Sequence, residues 1–239
     1  QRYLFEYFNS YPLKVRKRVE YVTTDMYRPY IDLAKKVFPN ANIVVDKFHI
    51  VQLLTRELNK LRINEMKKLN TRSREYKILK RYWKIPLTKN WELNSIYFYK
   101  NRHFKNMTSS VDILDYMLGK FPNLKEAYDF YQNFLLSISN NDVAMLEDIL
   151  NTRTDKIPMC FRKSIKTLKK LRKYVLNSLK YDYTNAMVEG KNNKIKVIKR
   201  VSYGYRSFRN FKARIMLMER YKIQKGNIHS YKFAMDAAA

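Results

Sequence analysis

The sequence predicts an α/β fold in which helices predominate. Residues 18–24 and residues 42–46 are short runs rich in β-branched, aromatic and other apolar residues, a pattern typical of strands. Apolar residues at helical spacing lie between the two runs, which predicts a βαβ crossover and hence two parallel strands. Residues 71–180 show helical spacing almost throughout, so we expect a large all-helical insertion in this α/β domain.

The helices predicted within the first 70 residues each have an apolar face. Residues 2–10, 30–38 and 49–69 repeat apolar residues at intervals of three and four. Pro39 and Asn40 end the second of these helices. The second strand is apolar enough to be buried in a parallel sheet. The predicted order is therefore helix, strand, helix, strand, helix.

The remainder of the chain is predicted to be helical. Pro86, Pro122 and Pro158 interrupt the insertion, and Asp142 is placed to cap one of its helices. A last amphipathic helix is predicted over residues 205–223. The chain is thus expected to comprise a first core part at residues 1–70, the insertion at 71–180, C-terminal core helices at 181–225 and a tail at 226–239.

The charge of the chain points to a polyanionic partner. Lys and Arg number 49 against 21 Asp and Glu, which gives a net charge of +28 and a pI near 10.0. A hydrophobic content of 46% can supply a core, so this is a folded basic protein and not a disordered polycation. Nucleic acid is the favoured partner, because phosphates relieve the self-repulsion of such a chain; a ribosomal-type or membrane-surface protein is the alternative.

Cysteine usage and hydropathy exclude several classes of protein. Cys160 is the single cysteine, so the chain has no intrachain disulfide and no cysteine zinc site, and we expect a partly buried thiol. No apolar run approaches the length of about 18 residues that spans a membrane. With no secretory signal in the sequence, the expected compartment is the cytoplasm, in association with the nucleoid.

Two acidic positions follow the predicted strands. Asp25 stands at the carboxyl end of the first strand, where ligands bind in open α/β sheets, although Asp is also a favoured helix N-cap. Asp46 and His49 form an Asp-x-x-His pair at the end of the second strand. They could be metal ligands, but a cap at Asp46 and a structural histidine are the favoured interpretation.

A third acid, Glu189, opens a strongly basic helix. Asn193 and Lys196 follow it at i+4 and i+7 on the same face. An acid in front of a phosphate-binding surface would repel phosphate unless it holds a divalent metal. The alternative, a solvated run of charges, accounts for the lysines but less well for the acid. The cations expected to contact phosphates are Lys191, Lys194, Lys196, Lys199, Arg200, Arg206 and Arg209.

The sequence leaves two roles open for two tryptophans of the insertion. Trp83 and Trp91 are favoured as core residues, with stacking on flipped or single-stranded bases as the alternative.

Five segments resemble, in the same order, the catalytic region of ISL3-type bacterial insertion-sequence transposases. They are residues 22–30 (VTTDMYRPY), 38–41 (FPNA), 45–51 (VDKFHIV), 188–200 (VEGKNNKIKVIKR) and 203–206 (YGYR). The resemblance covers both ends of the chain and is weak through the helical middle.

This resemblance implies a partial RNase H-like core with a DDE metal site that acts on DNA. Asp25 would match the second acid of that site and Glu189 the third, both as ligands of Mg²⁺ or Mn²⁺. Asp46 and His49 would match a signature beside the site, with Asn193 as a further supporting residue. The partner would be DNA at the element ends and target, with a homo-oligomer assembled on it.

One departure from the family pattern concerns the first catalytic aspartate. The family places it well upstream of the second, whereas 24 residues precede Asp25 and Asp32 lies within a predicted helix. We therefore expect the C-terminal portion of a transposase that is inactive alone. A non-catalytic nucleic-acid-binding remnant is the first alternative, and a basic assembly module is the second.

Overall fold

The fold is that of a computed structural model, which describes residues 2–224 and 227–230. The chain divides into two compact units, the first ending at Thr184 and the second beginning at Asn185. No described helix is both long and apolar enough to cross a membrane.

The first unit begins with the predicted alternation of helices and strands. Its first six elements are α1 (Arg2–Asn9), α2 (Leu13–Arg16), β1 (Tyr21–Thr24), α3 (Arg28–Val37), β2 (Asn42–Val45) and α4 (Lys47–Lys67).

The two strands β1 and β2 pair in parallel, as the sequence predicts. Tyr21 pairs with Asn42 at one end of the ladder and Thr24 pairs with Val45 at the other. β1 is three residues shorter than predicted, although the Glu20 carbonyl still accepts the Asn42 N–H at 2.8 Å. α3 forms the crossover between the strands and buries Ile31.

The insertion is helical, with one exception. Its elements are α5 (Arg74–Arg81), β3 (Tyr99–Lys100), β4 (Met107–Thr108), α6 (Ser110–Lys120), α7 (Pro122–Ser139), α8 (Val143–Asn151), α9 (Arg162–Lys170) and α10 (Arg172–Lys180). The antiparallel hairpin of β3 and β4 was not predicted, because two-residue strands are too short to show alternation.

A break at Leu171 was also not predicted. The apolar spacing of residues 156–180 is continuous, yet the chain forms α9 and α10 on either side of Leu171. The Leu171 N–H donates to the Leu168 carbonyl at 3.0 Å, an i to i−3 bond that tightens the last turn of α9. The predicted N-cap of α8 by Asp142 is confirmed, because the Asp142 side chain accepts the Met145 N–H. Helix α7 begins at Pro122, one of the prolines predicted to interrupt the insertion.

A single hydrophobic core joins the strands to the insertion. Val45 of β2, Leu54 of α4, Phe134 of α7 and Leu168 of α9 are fully buried members of the same cluster. The insertion therefore packs on the α/β part. Cys160 lies beside this core as a half-buried thiol, and burial raises its pKa to about 11, which keeps it protonated and unreactive near neutral pH.

Helix α10 covers the second strand. The Asn177 side-chain amide is buried and donates to the Ile43 carbonyl at 2.9 Å. This hydrogen bond satisfies a β2 backbone oxygen that would otherwise be buried without a partner.

The second unit is helical at its start. It comprises α11 (Ala186–Val201), α12 (Phe208–Arg220) and the antiparallel strands β5 (Tyr221–Gln224) and β6 (Asn227–Ser230). The helix predicted over residues 205–223 is thus shorter at both ends. Of the predicted tail, residues 227–230 form β6, and residues 226 and 231–239 lie outside the described residues.

Candidate functional site

Asp25 lies directly after β1. Its Oδ1 accepts the Tyr27 N–H at 3.0 Å, which closes a local turn. It is not the N-cap of α3: that position is Tyr27, because Pro29 occupies the second helical position and α3 starts at Arg28. Within residues 2–224 and 227–230, Asp25 Oδ2 has no protein partner, and the side chain is half-buried.

Asp46 lies directly after β2 and is differently engaged. It is the N-cap of α4, and its Oδ1 accepts the Phe48 N–H at 2.8 Å. The residue is 5% exposed, and its own N–H donates to the Thr24 carbonyl at 3.0 Å. The predicted cap is confirmed. His49 follows in the first turn of α4, half-buried, with its ring edge-on to Phe48 at 5.5 Å.

These residues form one edge of the strand pair, which we call the carboxyl edge (Asp25, Asp46 and His49). Asp25 and Asp46 come next after the paired residues Thr24 and Val45, so the ladder brings the two acidic positions side by side. Residues at the carboxyl ends of parallel strands converge in this way on a ligand crevice.

The carboxyl edge offers oxygen ligands of the kind that Mg²⁺ and Mn²⁺ prefer. Among the residues that the structure describes, no group of three or more His, Cys, Asp or Glu is arranged to hold a metal. Asp25 nevertheless fits such an ion, because one carboxylate oxygen has no partner among the described residues and the side chain is accessible to water. Mg²⁺ characteristically keeps several waters and takes one or two carboxylates together with substrate phosphates.

Glu189 belongs to the second unit, in the first turn of α11. It is exposed, and its backbone N–H donates to the carbonyl of Asn185, the N-cap residue. Asn193 and Lys196 are exposed further along the helix, at the spacing that puts them on the face of Glu189. The structure therefore agrees with the predicted polar face.

The opposite face of α11 is only partly buried. Ile198 is 4% exposed and Ile195 is half-buried, but Val188 is 57% exposed. Val188 lies about 15 Å along the helix from Ile198, at 1.5 Å per residue, and so lies well away from the turn that brings α12 against α11.

The predicted phosphate contacts are all on the surface. The turn after α11 has Tyr203 and Gly204 at φ values of 52° and 102°, and the Gly204 N–H donates to the Lys199 carbonyl at 3.1 Å, which ends the helix. Lys194 Nζ also donates to the Met218 carbonyl at 3.3 Å. The exposed cations are Lys191, Lys194, Lys196, Lys199, Arg200, Arg206 and Arg209.

A second group of cations, which was not predicted from the sequence, lies in the insertion. Lys77, Lys80, Arg81, Arg102 and His103 line one concave pocket of about 600 Å³. A signal was present, because residues 72–105 contain ten Lys or Arg and two acids. Their convergence on one pocket was not visible in that count.

The two tryptophans of the insertion are not core residues. Trp83 is 41% exposed and Trp91 is 48% exposed, and each lies near a lysine, Lys84 and Lys89 respectively. The core interpretation was therefore wrong for both.

Comparison with known proteins gave one family and one relative. No solved structure matched the chain. A protein of Lactococcus lactis subsp. lactis named ATP-dependent protease is 30% identical over 197 residues, which cover 81% of this chain and 62% of that protein. This chain thus spans less than two thirds of the relative's length. The model of the ISL3-type DDE transposases, described as a transposase, matches residues 1–215. Because this match covers most of the chain, the chain belongs to the ISL3-type DDE transposase family.

Proposed function

We propose that this chain is the catalytic part of a DNA transposase, which cleaves DNA phosphodiesters and transfers strands when an insertion sequence moves. The observation that carries the proposal is Asp25, an acid at the carboxyl end of a parallel strand, with one carboxylate oxygen that no described residue engages. Family membership and the net charge of +28 support it. The segment from β1 to α4 would be the part of an RNase H-like core that this chain contributes.

Within this proposal, Asp25 and Glu189 are the ligands of Mg²⁺ or Mn²⁺. A bound ion of this kind lowers the barrier by activating a water or a DNA 3′-hydroxyl and by stabilising the leaving oxygen. Asp46 positions the start of α4 next to Asp25 through its cap hydrogen bond to Phe48. His49 would support Asp25 within the first unit, and Asn193 would support Glu189 within the second.

DNA is the proposed partner because the exposed cations of α11 and α12 can replace condensed counterions along the phosphate backbone. The resemblance further suggests that the protein acts as a homo-oligomer assembled on element ends. The name of the Lactococcus relative points to a nucleotide-dependent activity, but this sequence contains no GxxxxGK[ST] loop to cradle nucleotide phosphates.

The main alternative is a non-catalytic nucleic-acid-binding protein. Its DNA binding would depend on salt and not on Mg²⁺. The Glu189→Ala variant separates the two ideas: removing an acid raises or leaves unchanged the affinity of a simple binder, whereas it removes Mg²⁺-dependent cleavage from a transposase.

The test is a nicking assay with the complete reading frame that encodes this chain. The substrate is a supercoiled plasmid that carries the DNA flanking the gene, with Mg²⁺ or Mn²⁺ present. We expect metal-dependent nicks that Asp25→Asn and Glu189→Gln abolish. Asp32→Asn is the matched control, since Asp32 is a partly exposed residue of α3 and pairs with Arg28 at 3.1 Å. Nicking that needs no metal, or that survives Asp25→Asn, would contradict the proposal.

A further inference from the structure

Two segments of the insertion bring cations to one concave surface, which we call the α5 cleft (Lys77, Lys80, Arg81, Arg102 and His103). The first three residues are on α5, and the other two are in the loop between β3 and β4. An adjoining hollow of about 360 Å³ shares Lys77, Arg102 and His103 with the cleft. Its other lining residues are Arg72, Arg74, Phe104 and Lys105.

The loop is held against α5 by specific contacts. Arg74 Nε donates to the His103 carbonyl at 2.7 Å, and its guanidinium lies 5.1 Å from the Phe104 ring centroid and 4.8 Å from that of Tyr116. Tyr82 Oη donates to Asn101 Oδ1 at 3.2 Å. The cations of the loop are therefore presented by an ordered segment and lose little further entropy on binding an anion.

The orientation of α5 is also fixed. Ile78 and Leu79 are buried in the core, which turns Lys77 and Lys80 outward on the same helix. Arg62 of α4 is 5% exposed, and its Nη1 donates to the Leu79 carbonyl at 2.6 Å in the last turn of α5. A cation at this end of a helix interacts favourably with the helix dipole as well as with the carbonyl.

The positive charge of the cleft is not neutralised by ion pairs among the described residues. In the described part of the chain, no carboxylate forms an ion pair with the lysines and arginines of the cleft. The nearby acid Glu75 accepts a hydrogen bond from Tyr116 Oη at 2.9 Å. Burial and the surrounding cations, Arg102 first among them, lower the pKa of His103, which is the expected response to an uncompensated positive field.

We propose that the α5 cleft of the first unit binds the phosphate backbone of duplex DNA, in addition to the contacts proposed for the cations of α11 and α12. The ligand is inferred from charge complementarity over two adjoining hollows, which suits a polyanion with closely spaced phosphates better than a single anion. That the polyanion is DNA rests on the proposed function. The cleft would contact phosphates, so it adds affinity and positions the duplex without reading its sequence.

The test is the salt dependence of DNA binding by a charge-neutralised variant. Lys77, Lys80 and Arg102 are exposed, so replacing all three with Gln removes charge without opening the core. Fluorescence anisotropy with a labelled duplex gives the slope of log affinity against log salt. We expect weaker binding and a slope reduced by about 0.9 for each phosphate that the variant no longer neutralises, hence by about two to three.

The matched control removes the same charge elsewhere in the first unit. Lys14→Gln, Lys36→Gln and Lys125→Gln alter three exposed lysines outside the cleft and should change the slope little. Equal effects of the two triple variants would overturn the proposal, as would binding of inorganic phosphate in the cleft with no change in duplex affinity. Thermal melting checks that each variant folds, and Arg102→Gln alone serves if the triple variant does not.

This experiment is independent of catalysis. If the protein never nicks DNA but the salt slope changes as expected, the proposed role of the α5 cleft is supported and the proposed reaction is wrong. If the protein nicks normally but the cleft variant shows no change in slope, the proposed reaction is supported and the proposed role of the cleft is wrong.

Discussion

The carboxyl edge and the α5 cleft, both within the first unit, differ in charge and in how the chain builds them. The carboxyl edge is acidic, and each of its acids is the residue that follows a strand. The α5 cleft is cationic and joins a helix to a loop that comes 20 or more residues later, through Arg74 and Tyr82. A strand-end site can be predicted from local sequence, whereas a cleft between segments depends on tertiary packing.

The largest expected effect separates the two regions by function. Asp25→Asn should lower metal-dependent nicking more than about 100-fold, because even partners of metal ligands typically contribute about 10–100-fold. It should leave duplex affinity unchanged or slightly higher, since a negative charge is removed. The triple variant of the α5 cleft should weaken duplex binding and nick normally once DNA is saturating.

The measurements are single-turnover nicking and anisotropy on the same two proteins. If Asp25→Asn weakens DNA binding as much as the cleft variant does, then the two regions do not divide catalysis and binding between them.

A second prediction concerns what keeps the strand pair in place. Asn177→Leu removes the amide that donates to the Ile43 carbonyl and leaves this buried oxygen without its partner. We expect a loss of about 1–3 kcal/mol in the free energy of unfolding. Urea denaturation followed by circular dichroism measures it, with Asn123→Leu on the exposed start of α7 as the control. A stable Asn177→Leu variant would mean that packing alone holds α10 against β2.

The strand pair itself could be predicted from the sequence, because β-branched runs and helical spacing are local patterns. The role of each aspartate could be predicted only in part. Asp46 caps α4 because the helix starts at the next residue, whereas Pro29 delays the start of α3 and leaves Asp25 in a turn. Both Asp25 and Pro29 are visible in the sequence. Whether Asp25 caps α3 or keeps a carboxylate oxygen available depends on where α3 starts, and Pro29 sets that start.

The rest could not be predicted, because its determinants are distant in the chain. The hairpin of β3 and β4 is stabilised by pairing across two residues only, and Arg74 fixes the loop between them from α5. The break at Leu171 has no Pro or Gly to mark it. The ten cations of residues 72–105 can be counted in the sequence, but the count does not show which of them come together in one cleft.

A third prediction compares the two aspartates by stability. Asp46→Ala removes an N-cap and should lower the free energy of unfolding by about 1 kcal/mol. Asp25→Ala removes only the local turn bond to Tyr27 and should lower it by less. Chemical denaturation of the two variants measures the difference. A larger loss for Asp25→Ala would show that this residue has a structural role that its single hydrogen bond does not reveal.

The smallest expected effect is a dependence of duplex affinity on pH, which should arise from the α5 cleft and not from the carboxyl edge. In the free protein, burial and then Arg102, Arg81, Lys77 and Arg74 lower the pKa of His103 below its ordinary value. A DNA phosphate in the cleft would offset these charges and raise that pKa, so the complex would bind more protons than the free protein. Affinity should therefore increase as pH falls through the pKa of the complex, and level off below the lower pKa of the free protein.

The change in affinity should be about two- to tenfold, because one pKa unit corresponds to a factor of ten. Anisotropy at fixed ionic strength over this pH range measures it, and His103→Gln should flatten the dependence. His49→Gln is the control at the carboxyl edge and should leave the dependence intact. NMR titration of the His103 ring with and without duplex tests the cause directly: a pKa that does not rise on binding would place the DNA phosphates away from the α5 cleft.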